Sequence, residues 1–512
     1  MARLVIISNR VPAVVEGQQA GGLAVALEDA LRHEALWFGW SGRITEKTSD
    51  VPAVAQKGRI TIATADLGRE DYEDFYVGFS NSTLWPLLHY RLGLVEFSRS
   101  TYAGYRRVNR RFAELVSPLL RPDDLIWVHD YHLIPLGAEL RRLGHGNRIG
   151  FFLHIPFPPP AVFKALPSAH ELLSDLTAYD LAGFQTPEDY EHFVDGAQRL
   201  AGAAAAGGVV EWRGRRLRAL AIPVGIDPDR FAKLAERSAR SEYSRRLQES
   251  VAGRKLIIGA DRLDYSKGLL NRFEGFARLL ERFEEHRRKV SYLQITPRSR
   301  REVAEYQALK RSLDRLAGKI NGSFAEFDWV PLRYMTKATT RTVLAGFYRV
   351  ADAALVTPFR DGMNLVAKEF VAAQDESDPG VLVLSRFAGA ATSLTEALLV
   401  NPHDMEEIAE ALHSALTMPL DERQSRWRDL MTKVRRDSAA AWSQRFIAEL
   451  QSAGLPGGQA AHVSAAIVQP AKSSMNRTRS STTAAWKRAP ASAVASEGSP
   501  SVPVSDKSAK SR

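Results

Sequence analysis

The sequence predicts an α/β protein built from two doubly wound domains that face a cleft. Three observations support this fold class. The chain has 512 residues, which is more than one hydrophobic core usually serves. Short β-branched and apolar runs alternate with longer stretches of helical periodicity, which is typical of parallel sheets covered by helices. This alternation restarts after residue 223 and so divides the chain into two series.

The first series is predicted to form a domain over residues 1–223. Its strands are expected over residues 4–8, 125–129, 149–154 and 181–184, and its helices over 23–31, 102–119 and 187–200.

The second series is predicted to form a domain over residues 224–450, whose last helix can cross back onto the first domain. Ligands in such folds bind at the carboxyl ends of the strands, so the chemistry is expected there. The strands are predicted over residues 256–260, 292–296, 353–357 and 381–385, and the helices over 269–283, 300–316, 365–374 and 405–416.

Residues 451–512 differ in composition from the rest of the chain. Pro, Ser, Ala, Thr and Gly dominate, which predicts a disordered basic tail. From residue 455 onward eight Lys or Arg face two acids, so the tail carries +6 of the net charge of +10 and the remainder only +4. Nucleic-acid binding by the core is therefore not expected. Trp486-Lys487-Arg488 could be a docking element, although a solvated tail explains it more simply.

Composition also excludes several classes of protein. The sequence has no cysteine, so disulfides, thiolate nucleophiles and cysteine-bound zinc are excluded. No apolar run reaches the roughly 18 residues of a membrane-spanning helix. The apolar stretch at the N-terminus is too short for a signal peptide, and a cytoplasmic location is expected.

Glycines and cations at strand ends suggest phosphate binding. Gly21-Gly22 opens a predicted helix after the first strand, although a plain turn explains this pair equally well. In the second domain, Arg262 and Lys267 lie in the loop after the first strand, where they could neutralise a diphosphate leaving group.

A third loop follows the strand that is predicted to end at residue 357. A helix is expected to begin at about Met363, with backbone amides from Gly362 onward directed at the cleft. Asp361 could accept hydrogen bonds from sugar hydroxyls, although an acid at this position often caps a helix. Glu369 could accept from a ribose diol, although an isolated helical Glu usually faces solvent.

Aromatic and polar groups of the first domain lie in candidate cleft loops. These loops contain Phe75-Tyr76, Asn81 to Pro86 and Phe152 to Pro156. His129 and His132 could suggest a metal, but no third ligand with suitable spacing is evident, so none is expected. His154 could equally be an interior histidine, and Trp85 a core residue.

Together these segments resemble the glycosyltransferases of the trehalose-6-phosphate synthase family, the retaining GT-B enzymes of family 20. The order and spacing of the motifs hold over about 450 residues. The matching motifs are Ser8-Asn9-Arg10, Ala20-Gly21-Gly22-Leu23, Trp37-Phe38-Gly39-Trp40-Ser41-Gly42, Asn81-Ser82-Thr83-Leu84-Trp85-Pro86, His129-Asp130-Tyr131-His132, Phe152-Leu153-His154-Ile155-Pro156-Phe157-Pro158, Asp261-Arg262-Leu263-Asp264-Tyr265-Ser266-Lys267-Gly268 and Arg360-Asp361-Gly362-Met363-Asn364-Leu365-Val366-Ala367-Lys368-Glu369.

The resemblance implies a GT-B fold with two Rossmann-like domains, UDP-glucose as donor and glucose 6-phosphate as acceptor. The implied products are α,α-trehalose 6-phosphate and UDP, with retention of configuration and without a cofactor or metal. A homo-oligomer, either a dimer or a tetramer, is also expected.

The resemblance also assigns roles to individual residues. For the acceptor, it implies that the phosphate is held by Arg10, Tyr76 and Arg300 and that the ring is positioned by Trp85 and Asp130. For the donor, it implies that the diphosphate is faced by Gly21, Gly22, Arg262 and Lys267, and that the sugar is contacted by His154, Asp361, Gly362, Met363, Asn364, Leu365 and Val366. It also implies that Glu369 holds the ribose and that Thr339 lies near the base. Asp130, His154, Arg262 and Lys267 are the implied catalytic group. Family members can carry a bulkier residue near Thr339, which makes a strict uracil preference less secure, and the basic tail lies outside the family pattern.

Two other functions stay open at this point. A sister transferase could use another small phosphorylated acceptor, such as glycerol phosphate. A non-catalytic regulatory homologue could keep the fold without turnover, although Arg262, Lys267, Asp361 and Glu369 are all present.

Overall fold

The computed structural model describes residues 2–11, Leu27, 34–298 and 304–453. Most of the predicted helix over residues 23–31 therefore lies outside the described residues, as does the tail from residue 454 onward, including the predicted docking element at Trp486. In the described part of the chain, no helix is both long and apolar enough to cross a membrane.

A ten-stranded sheet is formed by the part of the chain that we call the first lobe, residues 4–221. Its strands lie in the order β3-β4-β2-β1-β5-β6-β7-β10-β9-β8. Their bounds are β1 Leu4–Arg10, β2 Ala35–Thr45, β3 Ala53–Lys57, β4 Ile60–Gly68, β5 Leu125–His129, β6 Arg148–Phe152, β7 Leu181–Phe184, β8 Ala204–Ala206, β9 Val209–Trp212 and β10 Arg215–Ala221.

A six-stranded sheet is formed by the second lobe, residues 255–400, in the order β13-β12-β11-β14-β15-β16. All neighbouring strands in it are parallel. Their bounds are β11 Lys255–Ala260, β12 Val290–Ile295, β13 Leu332–Met335, β14 Ala353–Val356, β15 Val381–Ser385 and β16 Leu398–Val400.

Helices cover both sheets. The α-helices of seven or more residues in the described part are α1 Arg99–Val116, α2 Leu136–Arg142, α3 Ala169–Leu176, α4 Pro187–Ala201, α5 Pro228–Ala239, α6 Glu242–Val251, α7 Leu269–Arg282, α8 Ala304–Phe324, α9 Arg341–Arg349, α10 Leu365–Ala373, α11 Met405–Thr417, α12 Leu420–Arg436 and α13 Ala439–Ser452.

The predicted α/β fold with two doubly wound sheets is confirmed, and all eight predicted strands form within a few residues of their expected bounds. The first sheet is parallel through its centre, as predicted, but not at its two edges. There β3 pairs with β4, and β8 with β9 and β9 with β10, in antiparallel hairpins. β3 and β8 are largely exposed, which an antiparallel edge tolerates better than a parallel one.

The predicted cleft loops at Phe75-Tyr76 and from Asn81 to Pro86 are instead helical, because residues Tyr72–Leu84 form a π-helix that a short α-helix, Trp85–Leu88, continues. Phe75 and Phe79 lie four residues apart on the buried face of the π-helix. Their rings contact Tyr105 of α1 at 5.9 and 4.6 Å between centroids. Residues four apart lie on the same face of a helix, so the packing of both rings on α1 favours a helix here. This packing outweighs the preference of the following Asn and Ser residues for turns.

The chain passes twice between the lobes. The first passage follows β10, and the second leads into α13, where Ala439 N donates to Ile226 O at 2.9 Å. Helix α13 then packs on the first sheet, with the Phe446 ring stacked on Trp127 at 4.3 Å. The last helix thus contacts the first lobe, and it includes residues 451 and 452 of the predicted tail. The domain boundary at residue 223 stays a prediction.

Candidate active site

The two lobes meet at the carboxyl ends of their strands. A Cβ atom at Gly362, in the loop after β14, would stand 2.1 Å from the backbone oxygen of His154, in the loop after β6. Gly389, in the loop after β15, packs against this loop from within the second lobe, because a Cβ atom there would stand 1.8 Å from the oxygen of Gly362. No side chain fits at either position, so Gly362 allows the loops of the two lobes to touch and Gly389 allows two loops of the second lobe to pack together.

Two cations of the second lobe lie in the loop after β11. Arg262 is exposed, and its guanidinium carbon lies 5.8 Å from the centre of the Trp85 ring in the first lobe. Lys267 Nζ donates a hydrogen bond to Asp361 Oδ2 at 2.5 Å. Burial disfavours the ionised form of Asp361, but the charge and hydrogen bond of Lys267, together with His89 and the hydrogen bond from Asn364, outweigh it and hold the pKa of Asp361 below its ordinary value. An anionic ligand would therefore compete with Asp361 for Lys267.

Helix α10 begins at Leu365, which agrees with the predicted helix over residues 365–374 and lies two residues after the start at about Met363 that the loop pattern predicts. Asn364 caps it from the left-handed region, with φ of 70°, and its side-chain oxygen accepts from Ala367 N at 3.2 Å. The Asn364 side-chain nitrogen donates to Asp361 Oδ2 at 3.0 Å. Asn364 thus takes the capping role that the sequence also allowed for Asp361. Met363 is buried beside this turn.

Glu369 lies farther along α10 and is paired with a residue of α9. Arg341 Nε donates to Glu369 Oε1 at 3.0 Å, and the Glu369 side chain is 17% exposed. The alternative of a solvent-facing Glu is therefore wrong. Burial raises the pKa of Glu369, and the charge of Arg341 opposes this effect. Thr339 is half-buried just before Thr340, which caps α9 through Val343 N.

A polar pocket in the first lobe forms around Arg10 at the end of β1. Its guanidinium carbon lies 5.6 Å from the Trp40 ring, and the Trp40 ring lies 5.5 Å from that of Tyr76. Gly42, with φ of 89°, makes room for this arginine, because a Cβ atom there would stand 2.4 Å from its terminal nitrogen. No role was predicted for Trp40 or Gly42, although both lie in the motif Trp37 to Gly42.

Trp85 links this pocket to the second lobe. Its indole Nε1 donates to Asp264 Oδ1 at 3.4 Å, and Tyr306 donates to Asp264 Oδ2 at 3.0 Å. Asp264 also accepts from Ser266 N at 2.9 Å. The ring is 4% exposed, so Trp85 is both a core residue and a bridge between the lobes. Sequence reasoning missed Asp264, whose only signal was its place between Arg262 and Lys267.

Asp130 and His154 lie at the ends of adjacent strands of the first sheet. Asp130 has φ of 75°, a strained conformation for a residue with a side chain, and its Oδ1 accepts from His154 N at 3.3 Å. His129 Nδ1 lies 3.1 Å from His154 Nε2. Burial lowers the pKa of His154 to about 3, and that of His129 also falls well below its ordinary value. The pair is therefore neutral at neutral pH.

The described residues of this site contain no group of three potential metal ligands. The sequence Asp227-Pro228-Asp229 has the Asp-x-Asp spacing that some metal sites use, but both side chains have other partners. The Asp227 side chain accepts from Arg230 N at 3.0 Å and caps α5, and Asp229 pairs with Arg435 at 3.2 Å.

The arrangement can hold a ligand with two anionic ends. Arg262 and Lys267 offer positive charge on one side of the interlobe contact, and Arg10 offers it on the other. His154 and Asn364 offer neutral donors and acceptors suited to hydroxyl groups, and the Asp130 side chain offers an acceptor. Gly21, Gly22 and Arg300, which were also predicted to contribute, lie outside the described residues.

Comparison with known proteins places the chain among relatives of similar length. The family model described as glycosyltransferase family 20 matches residues 8–452. The trehalose-6-phosphate synthase of Sinorhizobium fredii is 50% identical over 456 residues, which cover 88% of this chain and 98% of the relative.

Solved structures agree with this sequence match. An α,α-trehalose-phosphate synthase (UDP-forming) from Burkholderia xenovorans, in complex with glucose-6-phosphate, superposes with a TM-score of 0.85 at 49% identity and covers 88% of this chain and 100% of its own. An E. coli protein bound with UDP-2-fluoro glucose gives a TM-score of 0.84 at 44% identity, with 88% and 99% covered.

Proposed function

Because the chain belongs to glycosyltransferase family 20, we propose that it transfers glucose from UDP-glucose to glucose 6-phosphate. The products are α,α-trehalose 6-phosphate and UDP, and the anomeric configuration of the donor is retained. Relatives of this chain carry glucose-6-phosphate in one structure and a UDP-glucose analogue in another. These two ligands are a donor analogue and the acceptor of the same reaction.

The observation that carries this proposal is the pairing of two separated cationic sites across the interlobe contact. Arg262 lies against Trp85 on one side, and the Trp85 ring lies 5.7 Å from that of Tyr131. The His132 ring lies 3.9 Å from Tyr131 and stacks on Tyr76 at 6.0 Å, so aromatic contacts lead from Trp85 to the group around Arg10. A nucleotide diphosphate and a sugar phosphate need two such sites, separated by a region that accommodates sugar rings.

We assign the acceptor site mainly to the first lobe, with Arg300 contributed by the second. Arg10, Tyr76 and Arg300 hold the phosphate, and Trp85 and Asp130 position the ring. Trp40 belongs to the same site, because it packs between the Arg10 guanidinium and the Tyr76 ring.

We assign the donor site mainly to the second lobe. The diphosphate lies against Arg262 and Lys267, with Gly21 and Gly22 facing it from the first lobe. The donor sugar contacts His154 and the segment Asp361, Gly362, Met363, Asn364, Leu365 and Val366, while Glu369 holds the ribose and Thr339 lies near the base. When the donor binds, Lys267 exchanges its bond with Asp361 for one with a diphosphate oxygen, which leaves the Asp361 carboxylate to accept from sugar hydroxyls.

The proposed reaction takes place on one face of the donor sugar. The bond between the anomeric carbon and the diphosphate oxygen breaks, and the anomeric hydroxyl of glucose 6-phosphate attacks from the same side and gives its proton to that oxygen. Arg262 and Lys267 stabilise the negative charge that develops on the leaving group. Removing one donor of this kind costs about 100-fold or more in rate. A neutral His154 donates or accepts a hydrogen bond here without adding a cation near the oxocarbenium-like centre.

Measurement of UDP release across a panel of donors and acceptors tests this function. We expect release with UDP-glucose and glucose 6-phosphate, and an α,α-linked product by NMR. Release with glycerol phosphate but not with glucose 6-phosphate would instead favour a sister transferase. No release with any acceptor would favour a regulatory homologue. We also propose that the protein is cytoplasmic and forms a homo-oligomer, either a dimer or a tetramer. Light scattering of the purified protein tests the oligomeric state separately.

A further inference from the structure

A cluster of two histidines and a glutamate lies on the second lobe, away from the candidate active site. Glu285 and His286 belong to the short 3-10 helix Glu284–His286 that follows α7, and His413 lies on α11. Among the described residues, this is the one group of three or more His, Asp or Glu side chains whose ligand atoms all lie within 4.8 Å of one another.

The spacing of the three groups suits a single small cation. His286 Nε2 lies 3.0 Å from His413 Nδ1, and His413 Nδ1 lies 3.6 Å from Glu285 Oε1. Two ligands bound tetrahedrally at zinc distances of roughly 2.0–2.1 Å stand about 3.3 Å apart. All three ligand atoms lie within 4.8 Å of one another, so a cation could enter between them once the exposed Glu285 side chain moves towards His286.

The frame that carries the cluster is well packed. Helices α7 and α11 approach closely, because a Cβ atom at Gly275 would stand 2.5 Å from the Ile408 side chain. The Phe283 ring stacks on His413 at 4.1 Å between centroids and orients the imidazole. His286 is 8% exposed, whereas the Glu285 side chain is 55% exposed, so one side of the cluster is open to solvent. The site is thus held by protein on two sides and can be reached from the third.

We propose that Glu285, His286 and His413 bind one divalent transition-metal ion, Zn²⁺ by the chemistry of the donors, with water in the remaining position. Two imidazoles and one carboxylate form a ligand set that zinc accepts and that Mg²⁺ and Ca²⁺, which prefer oxygen, do not favour. Lys255 and Lys289 act on His286 as like charges, which weakens the site, but Lys255 Nζ already donates to Leu416 O at 2.6 Å.

The ion would join the end of α7 to α11 and would not take part in the transfer. Helix α7 starts directly after Lys267 and Gly268 and has 14 residues. At about 1.5 Å per residue it carries the chain roughly 20 Å from the cation loop before the cluster is reached. Binding should therefore raise the thermal stability of the protein and leave turnover nearly unchanged.

Titration of the full-length, tag-free protein with Zn²⁺ and with Co²⁺ tests this site. Zn²⁺ affinity is measured by competition with a chromophoric chelator, and Co²⁺ absorption reports the coordination number. The variants are His286→Ala, His413→Ala and Glu285→Gln. The matched control is His170→Ala, which removes an exposed histidine on α3.

We expect one equivalent of metal in the wild type and in the control, with a higher melting temperature on loading. Each His→Ala variant should lose more than the roughly 10–100-fold in affinity that follows removal of an outer-shell partner. Glu285→Gln keeps an exposed side chain of the same size, so its loss of affinity cannot be ascribed to misfolding. The proposal would be overturned if the three site variants bound metal with the same stoichiometry and affinity as the control, or if the wild type took up no metal.

Discussion

Replacement of Lys267 by alanine tests the charge arrangement on which the proposed reaction depends. In the structure Lys267 Nζ donates to Asp361 Oδ2 at 2.5 Å, and the two side chains are only 12% and 13% exposed. The variant removes the positive charge that would stabilise the leaving diphosphate and leaves the Asp361 carboxylate near the same place. Both changes disfavour an anion in the donor site.

The size of the effect follows from these two contributions. Loss of one stabilising donor costs about 100- to 1000-fold in kcat. Loss of a partner from a buried ion pair costs about 3–5 kcal/mol of folding stability at most, and less here because both groups retain some exposure. We therefore expect kcat to fall at least about 100-fold, with a moderate loss of stability.

Steady-state UDP release and thermal unfolding, measured on the same preparations, separate the two contributions. Lys310→Ala is a matched control, because Lys310 Nζ donates to Asp314 Oδ2 at the same 2.5 Å but on the outer helix α8. The double variant Lys267→Ala with Asp361→Asn should recover stability but not turnover. A kcat within about threefold of the wild type in Lys267→Ala would remove Lys267 from the mechanism.

Three further changes test other parts of the site. Arg300→Ala should raise KM for glucose 6-phosphate strongly and leave donor binding nearly unchanged; equal weakening of both ligands in calorimetry would contradict its assignment to the acceptor. Trp85→Phe removes the hydrogen bond to Asp264 and should cost about 0.5–1.5 kcal/mol in urea unfolding while keeping the ring; an unchanged midpoint would mean that this bond between the lobes contributes nothing. Stability should fall as pH drops below about 6.5, because the unfolded chain binds a proton at His154 that the folded protein, with a pKa of about 3, does not. The loss should reach roughly 2 kcal/mol between pH 6.5 and 5, and His154→Gln should reduce this pH dependence; an identical dependence in the variant would show that His154 is not buried as a neutral group.

The sequence predicted the fold because the strands of a doubly wound sheet are short, apolar and regularly spaced. The strands at residues 125–129, 181–184 and 381–385 form with the expected bounds. It failed at the edges of the first sheet and over Tyr72–Leu84, where partially exposed strands and a wide helix lack a clear apolar period. In those segments, contacts from distant parts of the chain decide the local structure.

The sequence by itself determined which chemical groups this protein has: cations and glycines at the ends of strands, acidic, polar and aromatic side chains near them, and no cysteine. Only the tertiary structure decided their partners. Lys267 is 94 residues from Asp361, and Trp85 is 179 residues from Asp264. Pairings over such separations depend on how two sheets pack against each other, and a periodicity read along a single segment carries no information about that packing.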